Sequence, residues 1–99
     1  MVHEKYFEVR AYAQNTVQVS TTGKNMTKVI FNLAKYAEER LADFTVTTGE
    51  ITVDVPNMQV IWTGNAKAFT LTVGENAVNG TQPTKKGQFR FRNLSVVTE

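Results

Sequence analysis

Cysteine is absent from this 99-residue chain. That removes disulfide staples, thiolate zinc sites and thiol nucleophiles together. Histidine occurs once, as His3, in a terminal stretch where fraying makes it a poor general base. The six glycines, at 23, 49, 64, 74, 80 and 87, are spread singly, so no glycine-rich phosphate loop is present. The two serines, Ser20 and Ser95, lie in strand-like segments without a G-x-S-x-G turn. Among the carboxylates, Asp43, Glu50 and Asp54 approach one another only if the turn after the expected helix folds them together, and solvation of a helix end and a strand face accounts for them. No Asp-x-Asp spacing offers calcium or magnesium a site. The inventory predicts a protein that is not an enzyme and needs no cofactor or metal.

Long apolar runs are also missing. None approaches the ~18 residues of a membrane span, and the charged start MVHEKYFEVR has no apolar core of a signal peptide. The expectation is a cytoplasmic chain with no membrane partner. Three N-x-S/T sequons, at Asn25, Asn79 and Asn93, are then fortuitous.

What is present suits one small domain. Apolar residues make up 41% of the chain, enough for a packed core, and residues 1–99 are expected to form a single domain, with little room for a second. The net charge is only +2, but it is unevenly distributed. Every acidic residue except Glu99 lies at or before Glu75, whereas Lys85, Lys86, Arg90 and Arg92 follow with no acid among them. A basic last quarter of this kind marks a candidate anion-facing region.

Periodicity supplies the expected elements. Residues 5–13 alternate, with Phe7, Val9, Ala11 and Ala13 on one side, and Val17 and Val19 resume after Gln14-Asn15. This predicts a β-hairpin. Met26, Val29, Ile30, Leu33, Ala37, Leu41 and Phe44 then recur at three- and four-residue spacing, which predicts an amphipathic helix over 25–43 with Asn25 as N-cap. Phe31 stands off that stripe and is a candidate exposed contact or a residue under a loop. Ile51, Val53 and Val55, then 58–63, then Phe69, Leu71 and Val73 predict a three-stranded meander with turns at Pro56-Asn57 and Gly64-Asn65. Residues 75–88 have no usable period and form a long loop, functional or mobile. Phe89 and Phe91 begin a last strand with a phase slip near Asn93, the sign of a bulge.

The order β-β-α-β-β-β-(β) predicts an α+β domain: a mostly antiparallel sheet of five to six strands with one helix on one face. Hairpin-then-helix is also how the β-grasp arrangement begins, in which the last strand lies beside the first. One helix covers one sheet face, so Tyr6, Arg10, Tyr12, Gln18, Thr52, Thr70, Thr72, Arg90 and Arg92 are expected on the open one. Tyr6, Arg10, Tyr12, Lys85, Lys86, Arg90 and Arg92 are accordingly the candidate binding residues, with Trp62 and Phe31 as candidate hot spots. A protein partner with an acidic surface, met by an adaptor or inhibitor, is the favoured reading. The alternative is a single nucleic-acid strand stacked on the tyrosines with its phosphates on the cations.

Overall fold

A computed structural model of the chain describes residues 9–99; Tyr6, and with it the beginning of the expected first strand, lies outside the described residues. The described residues form eight strands: β1 Val9–Tyr12, β2 Thr16–Ser20, β3 Met26–Leu33, β4 Phe44–Val46, β5 Glu50–Asp54, β6 Gln59–Ala66, β7 Ala68–Val73 and β8 Gln88–Thr98. They form two antiparallel sheets, one of five strands in the order β1-β8-β3-β6-β5 and one of three in the order β2-β7-β4. Among the described residues there is no α-helix, only a 3-10 turn at Ala37–Arg40. The fold is therefore all-β, and the α+β expectation is overturned.

The segment expected to be helical is instead the central strand of the larger sheet. Strand β3 pairs with β6 on one side and β8 on the other. Its sequence, MTKVIFNL, is rich in the β-branched and aromatic residues that suit a pleated, buried surface. The helical spacing came from a bulge: both ladders shift register between Met26 and Lys28. Against β8 the extra residue lies on β3, and against β6 it lies on β6; buried Met26 and Val29 are thereby three apart rather than two. Beyond the bulge, Val29, Phe31 and Leu33 are buried at the strand period. The chain then turns at Lys35-Tyr36 and continues into the 3-10 turn, so the apparent Leu33, Ala37, Leu41 series spans three different local structures.

Two connections also differ from the expected hairpin and meander. β1 and β2 do not pair, because the turn after Tyr12 carries the chain from one sheet to the other. β6 and β7 part at Lys67 in the same way. Only β5 and β6 make the expected hairpin. The β-grasp arrangement is absent with its helix, although β1 does pair with β8.

A single core lies between the layers. The larger sheet contributes Ala11, Val29, Phe31, Leu33, Val60, Trp62, Phe89 and Phe91, and the smaller one Val19, Phe44, Phe69, Leu71 and Val73. Trp62 stacks on Phe69 at 4.3 Å between ring centroids, and Phe44 meets Phe89 edge-on at 4.9 Å, so aromatic pairs join the two sheets. Phe31 and Trp62 are fully buried in this layer and cannot be interface hot spots.

The segment between β7 and β8 is pinned rather than loose. Thr81 N–H donates to Glu38 O at 3.1 Å, Gln82 N–H to Glu39 O at 2.9 Å and Asn79 N–H to Leu41 O at 3.0 Å. The Asn79 side chain donates to Ala42 O at 2.8 Å, and Ala77 is buried. Gly80 lies so close to the 3-10 turn that a Cβ would meet Glu39 O at 2.7 Å and Leu41 N at 2.8 Å. Backbone atoms cannot rotate away, so Gly80→Ala should cost about 1–3 kcal/mol. Thermal melts should show that loss, and amide exchange should speed up at Thr81 and Gln82; an unchanged melt would place the loop away from the turn.

Candidate functional site

Strand parity sorts the candidate residues. In β1 and β8 the inward positions are Val9, Ala11, Phe89 and Phe91, and the outward ones are Arg10, Tyr12, Gln88 and Arg90. Register sets Arg10 directly opposite Arg90 and Tyr12 opposite Gln88, which brings opposed Cα atoms to roughly 4.5–5.5 Å. Arg92 follows at the second register shift of the β3–β8 ladder, where Asn32 faces Asn93 and Leu33 faces Phe91. It is the extra residue of that bulge and is exposed.

The open face expected from the sequence is divided between two surfaces. Arg10, Tyr12, Thr52 and Arg90 lie on the outer side of the larger sheet, whereas Gln18, Thr70 and Thr72 lie on the outer side of the smaller one. They cannot act together. On the larger sheet, Ile30 faces Ile61 at the centre, and beside them Gln59 donates to Asn32 at 3.2 Å and Asn32 to Asn93 at 2.7 Å. This amide ladder ties three strands together and keeps the outer face polar next to its small apolar centre.

Around the first residues of β8 the fold gathers further groups. Ala34 N–H donates to Arg90 O at 3.0 Å, and the Arg90 guanidinium reaches Lys35 O at 3.4 Å. The turn after β3 is thus held beside β8, bringing Lys35 and Tyr36 to the arginines. Tyr36 adopts a left-handed backbone, φ 68°, an uncommon conformation for a bulky residue and one that costs of order 1 kcal/mol or more. Tyr36 is 57% exposed, comparable with Tyr12 at 51%, and the Lys35 ammonium sits 5.2 Å from the centroid of its ring. Arg40 Nε donates to Lys86 O at 3.1 Å, attaching the 3-10 turn to the basic loop. Lys86 pairs with Glu75 at 3.4 Å, with both side chains well exposed.

This end of the molecule therefore brings together Arg10, Tyr12, Arg90 and Arg92 with Lys35, Tyr36 and Arg40, and Lys85 and Lys86 border it. Lys35, Tyr36 and Arg40 were not legible as site residues, because the helix reading placed that stretch elsewhere. Glu38 and Glu39 share the same turn, so the surface is basic but mixed. Guanidinium groups offer bidentate donors to carboxylate or phosphate, and exposed tyrosines supply flat amphipathic area. Among the described residues no group of three His, Cys, Asp or Glu side chains is placed to hold a metal ion, and no helix is long and apolar enough to cross a membrane.

Fold and site together define an all-β, two-sheet domain with a basic, tyrosine-bearing end. No protein-family model, curated protein or solved structure matches the chain.

Proposed function

We propose that the protein is a non-enzymatic binding module that recognises an acidic surface of a protein partner through the β1–β8 end, in the manner of an adaptor or inhibitor. The observation that carries this reading is the register of β1 on β8: it sets Arg10 against Arg90 on the outer face with exposed Tyr12 one step away. Tyrosine and arginine are the residues that dominate protein interfaces. Clustered guanidinium groups also speed the encounter with an acidic patch. Glu38 and Glu39, beside Arg40 on the 3-10 turn, favour a folded protein over a polyphosphate chain. A uniform polyanion passing there meets carboxylates, whereas a protein surface can present its own cations to them.

The second reading, a single nucleic-acid strand, draws on Tyr12 and Tyr36 as stacking platforms flanked by cations. One experiment separates the two. Tagged protein and an Arg10→Glu/Arg90→Glu variant are compared for capture from lysate, with and without nuclease, at low and moderate salt. The expected result is a defined set of proteins held by the wild type, indifferent to nuclease and lost on charge reversal, with the melting temperature of the variant within a few degrees of wild type. Capture abolished by nuclease, with affinity for oligonucleotides falling steeply with salt, would transfer the site to nucleic acid. Capture that survives the double reversal would place the binding surface elsewhere.

A further inference from the structure

A second surface lies on the other sheet. We infer that the edge of β2 is a self-association surface, through which two copies of the chain pair antiparallel about a two-fold axis at Gln18. β2 is the outer strand of the three-stranded sheet and pairs only with β7 among the described residues. Which backbone groups face the open side follows from the ladder. Thr21 N–H donates to Lys67 O at 2.8 Å and Val73 N–H to Asn15 O at 2.9 Å, both in the register of β2 on β7. Hydrogen-bonded pairs alternate along an antiparallel ladder, so odd-numbered residues of β2 bond to β7. Thr16, Gln18 and Ser20 then turn their N–H and C=O groups outward along the edge.

The sequence of that edge, Thr-Val-Gln-Val-Ser, reads nearly the same in both directions. Antiparallel pairing centred on Gln18 sets Gln18 against Gln18 of the second copy and Thr16 against its Ser20, each an outward-facing backbone pair. Val17 then meets Val19 of the second copy, twice, on the inward face. Hydroxyl and amide side chains pair on the solvent side, a favourable cross-strand combination. Charge does not oppose the contact. β2 carries none of the charged residues or prolines that guard natural sheet edges, and the net charge of +2 gives little long-range repulsion between copies.

The inward face gains as well. Beside β2 opens an apolar groove of about 590 Å³, lined by Val9, Val17, Val19, Phe91 and Leu94, and Leu94 is 37% exposed although it pairs with buried Phe31 of β3 and so lies on the core-facing side. A strand added to β2 brings two more valines to the mouth of that groove. The two-fold is isologous and closes at two copies, making one continuous six-stranded layer from two three-stranded ones. It leaves the β1–β8 end on a different sheet.

Sedimentation velocity tests this, using the purified chain from roughly 1 µM to 1 mM and single substitutions at Gln18. Its side chain is exposed, so Gln18→Lys and Gln18→Glu should melt like wild type. The wild type should sediment as a concentration-dependent dimer. Each variant alone sets like charges directly opposite and should raise the dissociation constant at least tenfold. Mixing the Lys and Glu variants in equal amounts should restore the dimer, which a general loss of fold would not do. A wild type that stays monomeric throughout, or a dimer insensitive to both substitutions, would overturn the inference.

Discussion

Trp62→Ala is expected to lower the free energy of unfolding by about 3–5 kcal/mol. The ring is fully buried and stacked on Phe69 with an interplanar angle of 6°, so it joins the two sheets directly. Its indole N–H donates to Thr48 O at 2.7 Å, fixing the crossing from β4 to β5. Gly49 and Gly64 are fitted against the same ring: a Cβ would meet Nε1 at 2.5 Å from the first and Cζ2 at 2.6 Å from the second. Gly49 also has φ of +80°, which glycine adopts freely. Removing the indole leaves a cavity that these backbone segments cannot collapse to fill, and it takes away the donor to the Thr48 carbonyl. A small domain has a total margin of about 5–15 kcal/mol, so the variant should be marginal at best. Urea titration should show a much lower midpoint with an unchanged slope. Trp62→Phe, which keeps most of the ring, should lose distinctly less. A loss below about 1 kcal/mol for the alanine variant would mean that the ring is not in the core.

Phe89→Ala should cost about 3–5 kcal/mol as well, for a different reason. Phe89 packs against three other rings, Phe31 at 5.1 Å, Phe44 at 4.9 Å and Phe91 at 4.8 Å, and so links β8 to both β3 and the smaller sheet. Arg90, the next residue, points to the opposite face. Arg90→Glu should change stability by less than about 1 kcal/mol while eliminating capture of an acidic partner. The contrast between neighbours is the physical content of the alternation in KKGQFRFRNL: the phenylalanines belong to the core and the arginines to the surface. Thermal melts of the two single variants measure it. Equal destabilisation would mean that the parity of β8 is misassigned.

Period-two patterns were readable wherever a strand ran without a bulge. Val17 and Val19, Ile51 and Val53, Phe69 and Leu71, and Phe89 and Phe91 all face inward as their spacing implies. The slip near Asn93 is a register shift in the β3–β8 ladder. β3 was not readable by spacing, because its bulge turns a strand period into a helical one over the first four residues. The contrary signal was Phe31: a residue off an apolar helical stripe is at the right parity for a strand containing Val29 and Leu33. Local pattern also carries no information about which sheet a strand joins, so the crossings after Tyr12 and at Lys67 went unseen. Of the site, the apposition of Arg10 with the arginines of β8 followed from parity and from placing the last strand beside the first. Lys35 and Tyr36 reach them only through the turn that ends β3, and a left-handed tyrosine leaves no mark in sequence.

Everything functional here depends on β3 being the central strand that fixes the facing of β8. Nuclear Overhauser contacts over residues 26–33 test that point most directly. Ile30 should show cross-strand contacts to Ile61 on one side and Ser95 on the other, with slowly exchanging amides through 29–33. Sequential amide–amide contacts and i to i+3 contacts running through 25–43, with none to residues 59–66 or 93–98, would contradict the sheet and with it the placement of the arginine surface.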